Sequence, residues 1–328
     1  MNAVLNDNAD TLLELRVKQI RMEAEGINSY ELVSPNGAPL PPFTAGSHID
    51  VYAGPSVIRQ YSLCNAPSET YRYVIAVLKD PNGRGGSVVV HESLRAGDIV
   101  RVSLPRNNFE LRPLNRKVVL LAGGIGVTPM KSMAHQLEAE GIAYEMYYCS
   151  KGPEYAAFQA ELEALGKFGN IKFHFDGGDP QNSLDIASIL KNPGSECDLY
   201  YCGPGGFMEA CRVASGHWPS GSVHFEHFKP PAKLTDSAAT VAGGFVAEIA
   251  STGEKLDVAP GQSLAEVLID AGYPVETSCQ SGLCGTCKTR YLSGEVDHQD
   301  FILDDGEKHE YLTTCVSRAL SETLLLDL

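Results

Sequence analysis

Four cysteines in the carboxyl-terminal part of the chain are spaced so that they could bind an iron–sulfur cluster. The spacing is C-x4-C-x2-C with a fourth cysteine further on, and the residues are Cys279, Cys284, Cys287 and Cys315. This is the plant-type spacing of a [2Fe–2S] cluster held by four thiolates. Gly282 and Gly285 permit the positive φ that lets loop amides point at the sulfur atoms. The spacing therefore predicts a one-electron carrier.

Two other interpretations of these cysteines are a structural zinc site and disulfide bonds. Zinc sites usually pair two C-x2–4-C units, whereas the second unit here is a single cysteine. Disulfides are typical of secreted proteins, and nothing else in the sequence indicates secretion. The other cysteines show no paired spacing and are expected to be small buried hydrophobic residues: Cys64, Cys149, Cys197, Cys202 and Cys211.

Length and composition are those of an ordinary globular protein with two or three domains. The chain has 328 residues, of which 43% are hydrophobic and 20% charged. Its formal net charge of −15 argues against nucleic-acid binding. Residues 1–10 are polar, and no apolar run approaches the ~18 residues of a membrane span. We therefore expect a cytoplasmic monomer with no membrane association.

The first hundred residues contain six short apolar segments separated by proline and glycine, which predicts an antiparallel β-barrel. The strands are predicted at 12–18, 30–34, 48–52, 57–63, 71–78 and 98–104. In Arg59-Gln60-Tyr61-Ser62, strand alternation places Arg59 and Tyr61 on one face and Ser62 on the other. The run 83–87, Gly-Arg-Gly-Gly-Ser, opens a helix and exposes amides that can bind an anion. Alone, each feature also fits a solvated arginine or a simple turn.

From Lys117 onward, strands alternate with helices, which predicts a doubly wound parallel sheet. Its first strand runs into Gly-Gly-Ile-Gly at 123–126 and a helix to about Glu140, with Thr128 as the expected N-cap. A further helix is expected at 154–167. A later strand ends in Cys-Gly-Pro at 202–204. Ligands of such sheets bind beyond the carboxyl ends of the strands. The standard dinucleotide fingerprint is not met.

The remainder of the chain has a proline-led linker and then a third pattern of elements. Residues 230–242 are rich in proline and small residues, as linkers are. After them come a hairpin, a helix capped by Ser263, the cluster loop and three more strands, an order that matches a β-grasp ferredoxin.

The barrel and sheet motifs together resemble the ferredoxin–NADP reductase superfamily, and the whole chain resembles the phthalate dioxygenase reductase family. Arg-x-Tyr-Ser followed by the glycine-rich helix start is similar to its flavin barrel, and the glycine turn paired with Cys-Gly-Pro to its nicotinamide half. The resemblance implies a flavin-binding β-barrel at 1–112, an NAD-binding α/β domain at 113–229, a linker at 230–242 and a [2Fe–2S] ferredoxin domain at 243–328.

The resemblance also implies roles for individual residues. Arg59 contacts the flavin phosphate, Tyr61 lines the ribityl chain and ring, Ser62 bonds near flavin N5, and Gly86 and Ser87 cap the phosphate. On the nicotinamide side the implied residues are Gly123, Gly124 and Gly126 at the pyrophosphate, Thr128, Cys202, Gly203 and Pro204 at the nicotinamide, and Glu226 and Phe228 at the flavin ring. Ser62 and Cys202 are the residues assigned to hydride transfer. The Gly-Arg-Gly-Gly-Ser form favours FMN over FAD.

The nucleotide is expected to be NADH. A phosphorylated ribose needs a bidentate arginine, and none stands near Ser150 and Lys151. Asp176, after the third strand of the sheet, would repel a 2′-phosphate. Plainer interpretations are that Lys151 is a solvated lysine and that Asp176 is a turn residue.

The resulting hypothesis is electron transfer from NADH through FMN to the [2Fe–2S] cluster, and from there to a terminal Rieske oxygenase. A flavin accepts two electrons from NADH and releases them singly, as the cluster requires. One alternative is a reductase with the same modules that serves another acceptor, such as a hybrid-cluster protein. A second is a passive ferredoxin-type carrier, which would show neither bound flavin nor NADH oxidation.

Overall fold

The computed structural model describes residues 12–54, 57–112, 117–193, 197–219, 221–230 and 243–328. The chain divides into two compact units, Met1–Phe228 and Lys229–Leu328. The predicted linker, apart from residue 230, lies outside the described residues. No helix in the described ranges is both long enough and apolar enough to cross a bilayer.

The amino-terminal half of the first unit is an antiparallel six-stranded barrel. Its strands are β1 (Leu13–Ala24), β2 (Ile27–Val33), β3 (His48–Gly54), β4 (Val57–Ser62), β5 (Tyr73–Leu78) and β6 (Ile99–Val102), in the order β4-β3-β6-β1-β2-β5. A bridge between Leu63 and Ile75 brings the outer strands together. Helix α1 (Gly86–Ser93) follows β5. The first strand is longer than predicted, because it continues into a hairpin whose turn contains Gly26 at φ 72°.

The second half of this unit is a five-stranded parallel sheet with helices. Its elements are β7 (Lys117–Gly123), α2 (Val127–Glu140), β8 (Tyr144–Ser150), α3 (Gln159–Ala164), β9 (Gly169–Phe175), α4 (Ile186–Leu190), β10 (Cys197–Cys202), α5 (Gly205–Ala214) and β11 (Val223–Glu226). The strand order is β11-β10-β7-β8-β9, and every pairing is parallel. The strands after β7 are added first on one side of it and then, from β10 onward, on the other. The order therefore switches between β7 and β10, which is where such folds bind ligands.

Two helix predictions in this half are wrong in detail. The helix predicted from 154 to 167 is limited to Gln159–Ala164, because Phe158 before it adopts φ 61°, outside the helical region. Thr128 is not an N-cap. A 3-10 turn at 124–126 runs directly into α2, and the Thr128 hydroxyl donates to the Ile125 carbonyl at 3.0 Å instead.

A buried lysine ties the barrel to the parallel sheet. Lys131 on α2 is 4% exposed, donates to the Cys64 carbonyl at 3.1 Å and pairs with Glu161 at 2.8 Å. Its ammonium also lies 4.7 Å from the centre of the Phe158 ring. A cavity of about 160 Å³ beside it is lined largely by ion-paired side chains, including Arg72. Because Cys64 follows β4 closely, this contact fixes the strand end that carries Ser62.

The second unit is a five-stranded mixed sheet crossed by one helix. Its elements are β12 (Phe245–Ile249), β13 (Lys255–Val258), α6 (Leu264–Asp270), β14 (Lys288–Ser293), β15 (Val296–Asp297), β16 (Tyr311–Thr313), β17 (Arg318–Ala319) and β18 (Thr323–Leu326). The order is β13-β12-β18-β14-β16, with β12 and β18 parallel. Ser263 caps α6 in a reciprocal capping box with Glu266, as predicted for Ser263. The loop before β14 carries three of the cluster cysteines.

Candidate functional site

Arg59 and the start of helix α1 form a small positively charged recess in the barrel. A Cβ added to Gly86 would lie 2.0 Å from Arg59 Nε, so only glycine leaves room for the guanidinium there. Arg59 also donates to the Arg84 carbonyl at 3.2 Å, and burial together with Arg84 lowers the pKa of Arg59. Gly85 precedes the helix without a side-chain cap. Open amides next to two arginines suit a phosphate.

Ser87 and Tyr61 adjoin this recess. The Ser87 hydroxyl accepts the Asp80 amide at 3.0 Å, which fixes the turn before the helix. Tyr61 is partly buried against the barrel core, and burial raises the pKa of its phenol, which stays neutral. The structure thus brings Arg59, Tyr61 and Gly86 to one side of the barrel.

Ser62, Glu226 and Cys202 meet where the barrel adjoins the parallel sheet. Ser62 is 5% exposed, and its hydroxyl donates to the Glu226 carboxylate. Glu226 ends β11 and stands in register with Cys202 at the end of β10. Desolvation raises the pKa of Glu226 to about 8, so this carboxyl is largely protonated at neutral pH. The group can therefore hold a proton at the junction of the barrel and the parallel sheet.

The glycine turn after β7 packs on the Cys-Gly-Pro segment after β10. A Cβ on Gly126 would lie 2.2 Å from the Cys202 carbonyl oxygen, and one on Gly123 would lie 2.8 Å from Pro204. Gly124, at φ +53°, has no other atom near its Cβ direction, which leaves that side of the turn open to a ligand. Burial raises the pKa of the Cys202 thiol well above its ordinary value, so it is uncharged.

The remaining predicted residues lie further along this sheet edge. Thr128 is buried in the first turn of α2. Asp176 follows edge strand β9, where its amide donates to the Ser150 carbonyl and its carboxylate accepts the Gly178 amide at 2.7 Å. Phe228 follows β11 and is 38% exposed. Asp176 therefore has the turn geometry of its plainer interpretation, and it also adjoins Ser150.

The four cluster cysteines are linked in a continuous set of sulfur contacts. The side chain of Cys279 forms hydrogen bonds with those of Cys284 and Cys315, and the side chain of Cys287 forms one with that of Cys315. These contacts lower the pKa of Cys279 and Cys287 and raise the pKa of Cys284 and Cys315. Four sulfurs this close cannot all be thiolates unless cations lie between them. The set therefore fits a metal cluster.

Loop amides point at these sulfurs, as the sequence predicts. Gly282 and Gly285 adopt φ +70° and +73°. The Leu283 amide donates to the Cys279 sulfur at 3.4 Å, and the Gly282 amide to the Cys315 sulfur. Thr286 accepts a bond from the Cys284 thiol at 3.2 Å. Amide donors of this kind stabilise thiolates and tune an iron–sulfur cluster.

The structure forms no disulfide, since all nine cysteines are free. The four cluster cysteines come together in one set, as the C-x4-C-x2-C spacing with a distant fourth cysteine predicts.

Two residues near Ser62 were missed by the sequence analysis. His48 begins β3 opposite Ser62, with Nδ1 4.0 Å from Glu226 Oε1 and Nε2 3.4 Å from Gln60 Nε2. Lys131 fixes the strand end from the other side. For Lys131, the sequence signal that could have indicated this contact is a lysine on the apolar face of the predicted helix.

Comparison with known proteins agrees with this architecture. Residues 247–320 match the family described as the 2Fe-2S iron-sulfur cluster binding domain. The chain is 50% identical over 325 residues to the tert-butanol monooxygenase / tert-amyl alcohol desaturase reductase subunit of Aquincola tertiaricarbonis, covering 97% of this chain and 96% of that one. It is 44% identical over 320 residues to the phthalate dioxygenase reductase of Burkholderia cepacia, covering 97% and 98%.

A solved structure matches along nearly the whole chain. It is a phthalate dioxygenase reductase described as a modular structure for electron transfer from pyridine nucleotides to [2Fe-2S]. The TM-score is 0.74 at 43% identity, over 97% of this chain and 98% of that one.

A flavin-type barrel, a doubly wound nucleotide sheet and a ferredoxin-type unit in this order define the class of iron–sulfur flavoprotein reductases. Within that class, the chain belongs to the phthalate dioxygenase reductase family. It is an oxidoreductase, the reductase component of an oxygenase system. The predicted family, fold class and enzyme class are confirmed, and the predicted cofactors, FMN, NADH and [2Fe–2S], agree with this membership. Membership also favours a reductase over a passive carrier.

Proposed function

We propose that the protein carries electrons from NADH through FMN and its [2Fe–2S] cluster to a terminal Rieske non-haem iron oxygenase. The observation that carries the proposal is the junction of Ser62, Glu226 and Cys202. It joins the end of a barrel strand to the carboxyl edge of the parallel sheet. Among the relatives are reductases named for phthalate dioxygenase and vanillate O-demethylase, which supports an oxygenase of this kind as the acceptor.

On this proposal the chain's own residues bind, orient and protect the reacting groups. Arg59 and the amides after Gly85 bind the FMN phosphate, while Tyr61 lines the ring. Bound flavin supplies the conversion of a two-electron donor into single-electron steps. Ser62 donates a hydrogen bond at the ring edge, and Glu226 behind it holds a proton. Cys202, uncharged and fully buried, excludes water from the nicotinamide side.

The nucleotide is proposed to be NADH, and the protein a cytoplasmic monomer. Asp176 adjoins Ser150 at the edge of the sheet. If the ribose binds there, the Asp176 carboxylate repels a 2′-phosphate, which disfavours NADPH. The domain boundaries remain those of the sequence analysis, at 112, 229 and 242.

The test is an absorption spectrum of the purified protein followed by anaerobic titration with NADH or NADPH. We expect flavin and iron–sulfur bands, extraction of FMN, and bleaching of both chromophores by NADH at much lower concentration than by NADPH. The protein alone is expected to reduce cytochrome c without oxygenating any substrate. Equal use of NADPH would contradict the role of Asp176, and extraction of FAD would contradict the flavin assignment.

Replacing Arg59 with alanine is expected to weaken FMN binding by about 10- to 100-fold, because a hydrogen bond to a charged group is worth about 1.5–3 kcal/mol. The measurement is recovery of flavin fluorescence on dilution. Arg101→Ala, an exposed arginine on β6, is the control and should keep its flavin. Unchanged FMN affinity in Arg59→Ala would place the phosphate elsewhere.

A further inference from the structure

His298 and Asp300 form a buried pair in the ferredoxin-type unit. The Asp300 side chain is 0% exposed and that of His298 is 16% exposed, with His298 Nδ1 3.7 Å from Asp300 Oδ1. Neither atom has a hydrogen-bond partner among the residues that the structure describes. Buried polar atoms without partners are rare, so the pair requires a physical explanation.

The other polar atoms of the pair already have hydrogen-bond partners. Asp300 Oδ2 accepts the amides of Ile302 at 3.3 Å and Leu303 at 2.9 Å. The His298 ring bonds the backbone of Lys308, and since Nδ1 has no partner, Nε2 is the donor of that bond. A neutral His298 then turns the lone pair of Nδ1 towards a carboxylate oxygen. At 3.7 Å the two acceptors repel each other, and a proton on Nδ1 would turn this contact into an attraction.

The pair lies directly against the cluster loop. The Phe301 amide donates to the Gly282 carbonyl at 2.9 Å, and a Cβ on Gly282 would lie 3.0 Å from Asp300 Cα. The Gly282 amide in turn bonds the Cys315 sulfur. Because Asp300 packs directly on the loop backbone, a change in the charge of the pair acts strongly on an electron held at the cluster.

Burial and the charged groups around His298 have opposing effects on its pKa. Burial lowers the pKa of His298 below its ordinary value, Asp300 and Asp297 raise it, and Lys308 lowers it. The ring of Tyr291, with its centroid 6.5 Å from that of His298, packs beside it. An added negative charge nearby therefore favours protonation.

We propose that the His298–Asp300 pair takes up a proton when the cluster is reduced. One electron arrives from the flavin, and one proton from solvent binds His298 Nδ1 opposite Asp300 Oδ1, so the net charge of the region is unchanged. When the electron passes to the acceptor, the proton returns to solvent. The pair thus sets how firmly the cluster holds its electron.

The test is a redox titration of the full-length holoprotein, with the reduced cluster followed by electron paramagnetic resonance from about pH 5 to about pH 8, where histidine titrates. In the wild type, the reduction equilibrium is expected to change by up to about tenfold per pH unit within that range, ~59 mV for one electron. His298→Asn is expected to remove this dependence. Asp300→Asn is expected to remove it and to make the cluster easier to reduce.

His309→Asn is the matched control, because His309 is exposed in the same unit, and its slope should equal that of the wild type. A wild-type potential independent of pH overturns the proposal without any variant. A slope that survives in His298→Asn also overturns it. If that variant loses iron, His298→Gln is measured in its place. If both variants lose iron, titration of the His298 ring resonance decides, and equal pKa values in oxidised and reduced wild type overturn the proposal.

Discussion

The Cys287→Ser variant is expected to lose its [2Fe–2S] cluster while it keeps FMN and NADH-to-ferricyanide activity. Cys287 is buried, and its side chain is hydrogen-bonded to that of Cys315. Replacing it with serine therefore removes one of the four thiolate ligands. Loss of a residue that merely supports a metal ligand weakens metal binding by about 10- to 100-fold, and loss of a ligand itself should cost more. Cytochrome c reduction through the cluster should fall accordingly.

The measurement is iron and acid-labile sulfide content beside the two activities. Cys197→Ser is the matched control, because Cys197 is a buried free cysteine at the opposite end of β10 from Cys202. It should retain cluster, flavin and both activities. If Cys287→Ser loses ferricyanide reduction as well, then the flavin step depends on the cluster unit, and the two compact units are not functionally separable.

The cluster loop could be predicted from the sequence because its chemistry is local. Three ligands and both glycines lie within nine residues of chain, and the spacing alone restricts the cofactor. The same holds for the capping box at Ser263, where the partners are three residues apart. Local patterns are visible in sequence because chain connectivity already places the groups near each other.

The proton-holding groups could not be predicted in the same way, because their contacts join distant parts of the chain. Glu226 was placed at the flavin edge only by resemblance, and its raised pKa depends on burial and on its contact with Ser62. His48 reaches Glu226 from another strand of the barrel. Asp300 and His298 are close in sequence, yet only the fold shows that Asp300 packs on Gly282. Burial and packing are set by tertiary structure, to which residue spacing gives little access.

Thr128 shows why a correct motif can still give a wrong local detail. A threonine before proline at a helix start is a typical cap, and the helix itself is present. The 3-10 turn at 124–126 moves the helix start to Val127, so the threonine lies inside the first turn. The turn is tight because Gly126 must pass close to the end of β10. A long-range packing demand thus overrode a local preference.

That packing demand makes Gly126→Ala the most damaging small substitution expected on the nucleotide side. The added methyl would lie 2.2 Å from the Cys202 carbonyl oxygen, 2.5 Å from its carbon and 2.8 Å from the Gly203 nitrogen. All three are backbone atoms, so no side-chain rotation relieves the overlap, and the two strand ends must separate. A displacement of ~1 Å at a reacting centre costs about 100-fold in rate. We expect kcat/KM for NADH to fall by about that factor.

Chemical reduction separates this effect from a general loss of structure. Dithionite should still bleach flavin and cluster in Gly126→Ala, because Arg59, Gly86 and the cysteines are remote from the turn in sequence and in function. Gly216→Ala is the matched control, since Gly216 lies beyond the other end of α5 with ordinary contacts at 3.5 Å. If Gly126→Ala keeps wild-type kcat/KM for NADH, the nicotinamide does not bind at the meeting point of the glycine turn and Cys202, and the assignment of Cys202 to hydride transfer is wrong.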